Sequence, residues 1–155
     1  MLTFGTDGVR GKFGTELTES YAADLAVVAA QVLRCKTVVI GRDTRESGVL
    51  LETAIANALI KEGIEVQLMG IAPTPAIAFS AMRRNVVAIA ITASHNLYQD
   101  NGIKIFGAGG LKLSDSEQEE IEKQLLERTR KSDSGAIGAS GERAETAKPE
   151  LVKEY

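Results

Sequence analysis

The 155-residue sequence contains few aromatic residues, one cysteine and no excess of positive charge. Aromatic residues account for 5% of the chain and tryptophan is absent, so the core must consist mainly of Val, Ile, Leu and Ala. Because Cys35 has no second cysteine as a partner, an internal disulfide is excluded. The 18 Lys and Arg residues against 21 Asp and Glu residues give a net charge of −3, which argues against binding to a nucleic-acid backbone.

Long apolar segments are also missing. No uninterrupted apolar run reaches the roughly 18 residues of a membrane-spanning helix. The opening MLTFGTDGVRGKFG lacks the apolar stretch of a secretory signal. A single cysteine beside an apolar helical segment suits a reducing compartment. We therefore expect a cytoplasmic protein that does not associate with membranes, and the chain length is that of one ordinary globular domain.

The hydrophobic pattern alternates between helical and extended segments. Apolar positions recur at steps of three and four residues, which predicts helices over residues 18–34 and 49–61. A short helix over residues 76–83 and a charged helix, opened by a capping box at Ser114 and running to about Arg130, complete the set. Short β-branched or apolar runs predict strands over residues 37–40, 64–69, 86–92 and 103–106.

The order of these elements predicts an α/β fold, a three-layer domain in which a mixed, mainly parallel four-stranded sheet lies between helices. About ten residues separate the last two strands, which is too short for a helical crossover, so the final strand is expected to be antiparallel. We assign the domain to residues 1–130. Residues 131–155 are expected to be an interdomain linker and the start of a missing second domain, because residues 131–148 are small and polar.

Ligands of open α/β sheets gather in the loops at the carboxyl ends of strands. Ser94, in the third such loop, is the natural nucleophile or phosphoryl carrier, because a small hydroxyl there can face a cleft. His95, the only histidine, and Lys104 could supply positive charge or move protons. Ser-His-Asn is also ordinary loop vocabulary, and the lack of a G-x-S-x-G elbow disfavours a Ser-His-Asp hydrolase. The three loops cover residues 41–48, 70–74 and 92–101.

Two arginine-containing segments leave their roles open at this level. In the opening FGTDGVRG, a glycine-rich turn either presents Arg10 to an anion or forms a strand with Arg10 in a surface ion pair. In GRDTR, Arg42 and Arg45 either bind phosphate or pair with Asp43 and Glu46.

Four motifs together resemble the first domain of the α-D-phosphohexomutases. They are FGTDGVRG at the N-terminus, GRDTR-x-SG after the first predicted strand, APTPA after the second, and TASHN followed by DNGIK. They occur in the expected order across residues 4–104. The resemblance implies a four-domain enzyme in which a phosphoserine donates its phosphoryl group to a sugar phosphate. The bisphosphorylated sugar then reorients and returns its other phosphoryl group to the serine.

The resemblance also implies a role for each matching residue. Ser94 of TASHN corresponds to the phosphoserine, and its phosphate oxygen would be one ligand of a single Mg²⁺ ion. Lys104 of NGIK corresponds to a general acid/base and Arg10 to an arginine near the transferring group, and both would also bind phosphate. His95 and Asn96 match the rest of the serine loop, His95 as a catalytic residue and Asn96 as a phosphate-binding one.

Several parts of the family's active site have no counterpart in this sequence, namely an aspartate-rich metal loop of the type DGDxDR, a sugar loop of the type GEESGH and a C-terminal phosphate loop. We therefore expect the chain alone to have negligible mutase activity and weak metal affinity. The remaining Mg²⁺ ligands and the holders of the sugar phosphate and sugar bisphosphate would lie in missing domains of the same polypeptide. The surface exposed by their absence is expected to allow self-association. Leu97 occupies the position of the family's proline in SHNP, which is expected to loosen the loop.

The substrate stays open within the family. The opening motif and the DNGIK loop favour a mutase of glucosamine phosphates, while mutases of mannose and glucose phosphates are the alternatives. A binding module that keeps the fold without catalysis is an alternative from a different class.

Overall fold

The fold is that of a computed structural model, which describes Leu2, residues 8–94 and residues 96–135, with side chains through residue 131. Strands and helices alternate along these residues as β1 (Val9–Lys12), α1 (Glu19–Leu33), β2 (Thr37–Arg42), α2 (Glu46–Lys61), β3 (Glu65–Ile71), α3 (Thr74–Arg84), β4 (Val87–Ile91), β5 (Asp100–Phe106) and α4 (Asp115–Gly135).

Helix ends follow local capping chemistry. The Thr18 side chain accepts a hydrogen bond from the Tyr21 backbone N at 3.0 Å, and Arg34 ends α1 in the left-handed conformation with φ 53°. At the start of α4, Ser114 Oγ accepts from the Glu117 backbone N at 3.2 Å, while the Glu117 carboxylate accepts from the Ser114 backbone N at 2.8 Å. These reciprocal bonds confirm the predicted capping box.

Two helices differ in extent from the sequence prediction. Helix α2 begins at Glu46, before the predicted start at Val49. The apolar spacing did not reveal this first turn, because its residues are polar and contact another loop instead of the core. Helix α4 continues to Gly135 instead of ending near Arg130. Residues 136–155 lie outside the described residues, so the predicted linker and second domain stay predictions. None of the helices in the described ranges is long and apolar enough to cross a membrane.

The strands form one mixed sheet in the order β1-β5-β4-β2-β3. Strand β2 pairs in parallel with β3 and β4, whereas β5 pairs antiparallel with β4 and β1. The expected antiparallel direction of β5 is confirmed. The expected count of four strands is wrong, since the sheet has five, but its mixed and mainly parallel character is confirmed, because β5 alone among the five runs opposite to the others.

The additional strand, β1, lies at the end of the opening FGTDGVRG segment, for which a strand was one of the two alternatives, but its local signal is weak. It has four residues, VRGK, and its glycine and two basic residues disfavour a strand on propensity alone. Its pairing with β5, which sets Val9 opposite Ile103 and Arg10 opposite Gly102, supplies the hydrogen bonds that make it one.

Helices lie on both faces of the sheet, which confirms the three layers. Helices α1, α2 and α4 cover one face over a large core that includes Leu25, Ile40 and Leu59. Helix α3 lies on the other face, where Ile77 and Ala81 pack mainly on β2 and β4. On that face the side chains of β1 and β5 nearest the carboxyl edge are therefore less covered than those of β2 and β4.

Candidate functional site

Ser94 lies on the loop after β4, at the carboxyl edge of the parallel strands. The residue is exposed, and its backbone φ is 55°, in the left-handed region. For a residue other than glycine this conformation costs roughly 1–2 kcal/mol, so neighbouring contacts must hold it. The result is a small, exposed hydroxyl at the edge where α/β sheets bind ligands.

Lys104 lies beside this hydroxyl, with its Nζ 3.4 Å from Ser94 Oγ. It belongs to β5, where its partner on β4 is Ala90. Ile103 and Ile105, on either side of it, belong to the core under α1, α2 and α4. Because alternate residues of a strand share a face, Lys104 lies on the face that carries α3. The structure therefore brings together two of the residues predicted to form the site.

Arg10 lies on β1, opposite Gly102 of β5. A Cβ atom added to Gly102 would lie 3.0 Å from Arg10 Cγ, so the arginine stem passes close over the glycine backbone. Arg10 is exposed. Within the described part of the chain neither a hydrogen bond nor an ion pair engages its guanidinium, so the surface ion pair considered from the sequence is not seen there. The guanidinium is available to an anion.

A buried polar network fixes the backbone of the serine loop. Ser94 donates its backbone N–H to Thr92 Oγ1 at 3.0 Å, and Thr92 Oγ1 donates to Asp43 Oδ2 at 2.7 Å. The backbone N of Asp43 donates to the Ile91 carbonyl at 3.1 Å, which ties the loop after β2 to the end of β4. Thr92 is buried, so its hydroxyl, which links Ser94 to Asp43, is largely shielded from water.

Arg45 completes this network from the loop before α2. Its Nη1 pairs with the Asp43 carboxylate, and its Nη2 donates to the carbonyls of Asn96 at 2.9 Å and Ser94 at 3.4 Å. The residue is 8% exposed. Of the two roles considered for Arg45, the ion pair with Asp43 is the one present, and the guanidinium is used inside the protein.

The first turn of α2 holds the far end of the serine loop. Tyr98 Oη accepts from the Glu46 backbone N at 3.1 Å, and Asn101 Nδ2 donates to Ser47 Oγ at 2.8 Å. Asn101 is fully buried. The backbone N–H of Asp100 bonds the carbonyl of Leu97 at 3.0 Å, while the Leu97 side chain is exposed. The loop is thus tied at both ends, and Leu97 leaves its backbone hydrogen bonds intact.

Two other predicted site residues give less information. His95 lies outside the described residues. Asn96 is exposed and contributes its backbone to the loop, as its N–H bonds the Ala93 carbonyl at 3.0 Å and its carbonyl accepts from Arg45. Their predicted roles in catalysis and phosphate binding stay predictions.

Arg42 differs from its neighbour in the GRDTR motif. Its Nε lies 3.5 Å from Glu52 Oε1 on α2, so its partner is neither Asp43 nor Glu46. Burial raises the pKa of the Glu52 carboxyl group above its ordinary value, and the charge of Arg42 opposes that shift. This pair contributes to the packing of α2, and among the residues described neither side chain has a hydrogen bond or ion pair with the serine loop.

Residues missed by the sequence reasoning are Thr92, Tyr98 and Ser47, together with the loop-binding role of Arg45. Their contacts join positions 49 to 54 residues apart in the chain. Their one local signal is the presence of polar residues at the ends of two predicted strands, the positions from which ligand-binding loops start.

The described residues do not form a metal site on their own. Mg²⁺ prefers oxygen ligands in octahedral geometry, and the side chain of Ser94 could supply one such ligand once phosphorylated. The Asp43 carboxylate is already engaged by Arg45 and Thr92. Among residues 8–94 and 96–131, no group of three or more His, Cys, Asp or Glu side chains converges to hold a metal ion.

Together, the layers and the serine loop define an α/β/α domain with a polar ligand-binding edge at the carboxyl ends of its parallel strands. The family described as phosphoglucomutase/phosphomannomutase, alpha/beta/alpha domain I, matches residues 1–132, and the chain belongs to this family.

Comparison with individual proteins supports the same assignment. The chain is 48% identical to the phosphoglucosamine mutases of Ruthia magnifica and Macrococcus caseolyticus, over 80% and 79% of its length. It spans 29% of the length of each of these relatives. Two solved structures are also similar: a putative phosphomannomutase from Thermus thermophilus, with 30% identity and TM-score 0.69, and a phosphoglucomutase/phosphomannomutase family protein from Burkholderia thailandensis, with 26% identity and TM-score 0.71. They cover 80% and 81% of this chain, which covers 30% of each of them.

Proposed function

We propose that this chain is the phosphoserine-bearing domain of a phosphoglucosamine mutase, which interconverts glucosamine 6-phosphate and glucosamine 1-phosphate through a bisphosphorylated sugar. The observation that carries the proposal is the exposed Ser94 hydroxyl with the Lys104 ammonium 3.4 Å away. The 48% identity to proteins named phosphoglucosamine mutase supports the amino sugar as the substrate.

In the proposed reaction Ser94 carries a phosphoryl group. An oxygen of a sugar hydroxyl attacks its phosphorus, the new P–O bond forms to the sugar, and the bond between phosphorus and Ser94 Oγ breaks. The Lys104 ammonium gives a proton to the departing Ser94 Oγ, and the amine that remains takes the proton of the sugar hydroxyl, so that the proton balance closes. Because phosphoryl transfer depends on positioning and charge neutralisation, the guanidinium of Arg10 on the neighbouring strand serves to bind phosphoryl oxygens.

The other parts of the active site are proposed to belong to further domains of the same polypeptide. These parts are the sugar-binding residues, the second phosphate site and the remaining ligands of a Mg²⁺ ion to which the Ser94 phosphate gives one oxygen. The chain alone is then expected to have negligible mutase activity, and substantial turnover by the purified 155-residue chain in a coupled assay would contradict this part of the proposal. A cytoplasmic location, and self-association through apolar side chains such as Phe79 and Met82 on α3, are carried along as expectations.

The proposal is tested by phosphoryl uptake. The full-length protein containing this chain is incubated with glucosamine 1,6-bisphosphate, and its intact mass is measured before and after addition of glucosamine 6-phosphate. We expect one phosphate to be gained and then transferred to the sugar, no gain in Ser94→Ala, and an unchanged gain in Ser116→Ala, which alters a serine on α4. Absence of any gain in the wild type would contradict catalysis and favour a binding module.

A phosphomannomutase is the second candidate, because one similar solved structure carries that name at 30% identity. Mannose 1,6-bisphosphate and glucose 1,6-bisphosphate are therefore run in parallel with the amino sugar. Faster phosphate exchange with mannose or glucose compounds than with glucosamine compounds would reverse the assignment within the family.

A further inference from the structure

We infer that Arg45, acting with Asp43 and Thr92, is a positioning residue that holds Ser94 in its left-handed conformation and so presents its hydroxyl for phosphoryl transfer. The inference rests on the proposed function in so far as Ser94 is the phosphoryl carrier. It assigns to the GRDTR segment a task other than binding substrate phosphate.

Arg45, Asp43 and Thr92 together form a clamp on the serine loop. The Nη2 atom of Arg45 donates to the carbonyls of Ser94 and Asn96, one on each side of position 95, and its Nη1 is held by Asp43. The same Asp43 carboxylate accepts from Thr92, whose hydroxyl accepts the backbone N–H of Ser94. Both the N–H and the carbonyl of Ser94 are therefore fixed from one partly buried ion pair. Fixing the two peptide groups that flank Ser94 fixes its φ and ψ.

The left-handed backbone conformation of Ser94 has a conformational free-energy cost. The φ of 55° at Ser94 is unfavourable for a side chain with a Cβ, and such strain persists where surrounding structure over-determines it. Among the described non-glycine residues, Arg34 and Asn85 also have positive φ, but both end helices, where a left-handed residue is common. Ser94 ends no helix, so the polar network is what over-determines its conformation.

The position of Arg45 at the start of α2 points to the same role. It is the N-cap residue of α2, a position that favours Ser, Thr, Asp or Asn, and its side chain makes no capping hydrogen bond. Arg45 therefore does not cap α2, and its side chain instead donates hydrogen bonds to the serine loop. Departures of this kind from local consistency are expected at functional sites.

The test compares two arginines of one motif. Lysine keeps the charge but cannot form the planar fork that reaches two carbonyls and a carboxylate at once. Arg45→Lys should therefore release the serine loop. Arg42→Lys is the matched control, because Arg42 is also a partly buried, ion-paired arginine of the GRDTR segment but contacts Glu52 and not the loop.

The first readout is the loop backbone in the 155-residue chain. NMR coupling constants and carbon chemical shifts report φ at Ser94, and amide hydrogen exchange reports the protection of residues 94 and 96. We expect Arg45→Lys to lose the positive φ and to raise exchange at these amides about tenfold or more, with Arg42→Lys matching the wild type. The wild-type φ and protection retained in Arg45→Lys, or equal loss in both variants, would overturn the inference.

The second readout is phosphate uptake at Ser94 from glucosamine 1,6-bisphosphate in the full-length protein. A misplaced nucleophile with intact substrate sites should lower the maximal uptake rate by about 100-fold and leave the half-saturating bisphosphate concentration within about twofold. Uptake in Arg45→Lys within about threefold of the wild type would contradict the inference. A wild-type protein that takes up no phosphate would refute the proposed function, and the backbone readout would then decide whether Arg45 sets the loop conformation.

A second pair of variants covers the case in which Arg45→Lys fails to fold. Thr92→Val removes the hydroxyl that links Ser94 N to Asp43, and Thr92→Ser restores it. We expect slow uptake and an altered Ser94 φ in Thr92→Val, with recovery to within about threefold of the wild-type rate in Thr92→Ser. Wild-type behaviour of both variants, or equal impairment of both, would contradict the positioning role.

Discussion

The two edges of the sheet differ in what they bury. At the carboxyl edge, Arg45, Thr92 and Asn101 are buried and hydrogen-bonded to one another's loops, and they surround an exposed serine. At the amino edge, an open cavity of about 650 Å³ is lined by residues 33–37, 85–87, 107–108, 111–112, 114 and 117. Cys35 contributes to this lining and burial raises the pKa of its thiol, and the cavity has no comparable network among the residues described.

This difference shows that the volume of a cavity alone does not locate the candidate functional site in this domain. Buried polar groups are costly unless they are paired, and the carboxyl edge is where this domain buries several of them together with their hydrogen-bond partners. The neighbouring strain at Ser94 points to the same edge. The cavity at the amino edge, by contrast, lies between the ends of α1 and α3 and the starts of β2 and β4.

Removing one lysine at each edge gives the largest expected contrast. Lys104→Met, at the carboxyl edge, should lower the rate of phosphate uptake at Ser94 by about 100-fold or more, because it removes the amino group that we propose transfers protons at Ser94 Oγ. Lys112→Met, in the lining of the amino-edge cavity, should leave the rate unchanged. Both rates are measured by intact mass at saturating bisphosphate. Equal rates in the two variants would remove the functional distinction between the edges.

Adding a methyl group at each edge should change stability to different extents. A Cβ on Gly102 would lie 2.7 Å from the carbonyl oxygens of Thr92 and Val9, so Gly102→Ala must push backbone apart and should cost about 3 kcal/mol of unfolding free energy. Gly109, near the amino edge, has φ 93° and open space around it. Gly109→Ala should cost about 1 kcal/mol, from backbone conformation alone. Urea unfolding measures both, and a larger loss in Gly109→Ala would contradict the close approach of strands around Gly102.

The smallest effect on stability is expected for Glu52, a buried acidic residue that lies beside the carboxyl edge but outside the serine network. The folded-state pKa of Glu52 is raised, so the stability linked to its protonation is fully present below the ordinary value of 4.5 and is lost as pH rises through the folded value. Relative to Glu52→Gln, the wild type should therefore lose unfolding free energy as the pH rises across that window. Urea unfolding at a series of pH values provides the difference between the two proteins, and parallel curves would show that burial does not govern this carboxyl group.

Features set by neighbouring residues could be predicted from the sequence. The cap at Thr18 and the capping box of Ser114 and Glu117 need only residues three positions apart, and the helical and strand periods need only a short window. The antiparallel direction of β5 followed from the length of one connection. Strand β1 could not be counted in this way, because its pairing partner on β5 lies about 90 residues further along the chain.

The candidate site was predicted only in outline. Ser94, Arg10 and Lys104 could be named from motifs, and in the structure Lys104 Nζ lies 3.4 Å from Ser94 Oγ, while their catalytic roles stay predictions. The clamp around them could not, since the contacts of Arg45 span 49 and 51 positions and depend on β2 lying beside β4. For Arg42, the acidic residues nearest in sequence, Asp43 and Glu46, were the expected partners. The observed partner is Glu52, which α2 places beside Arg42 more than one helical turn after its start.

Localising the phosphate on the protein tests the central claim most directly, namely that the carboxyl edge exists to present one serine hydroxyl. After incubation of the full-length protein with glucosamine 1,6-bisphosphate, peptide mass spectrometry distinguishes Ser94 from the other serines, such as Ser47 beside the network and Ser114 at the cavity. The account predicts phosphate on Ser94 alone, and its complete loss in Ser94→Ala. Phosphate on Ser47 or Ser114, or spread over several serines with Ser94 unmodified, would contradict it.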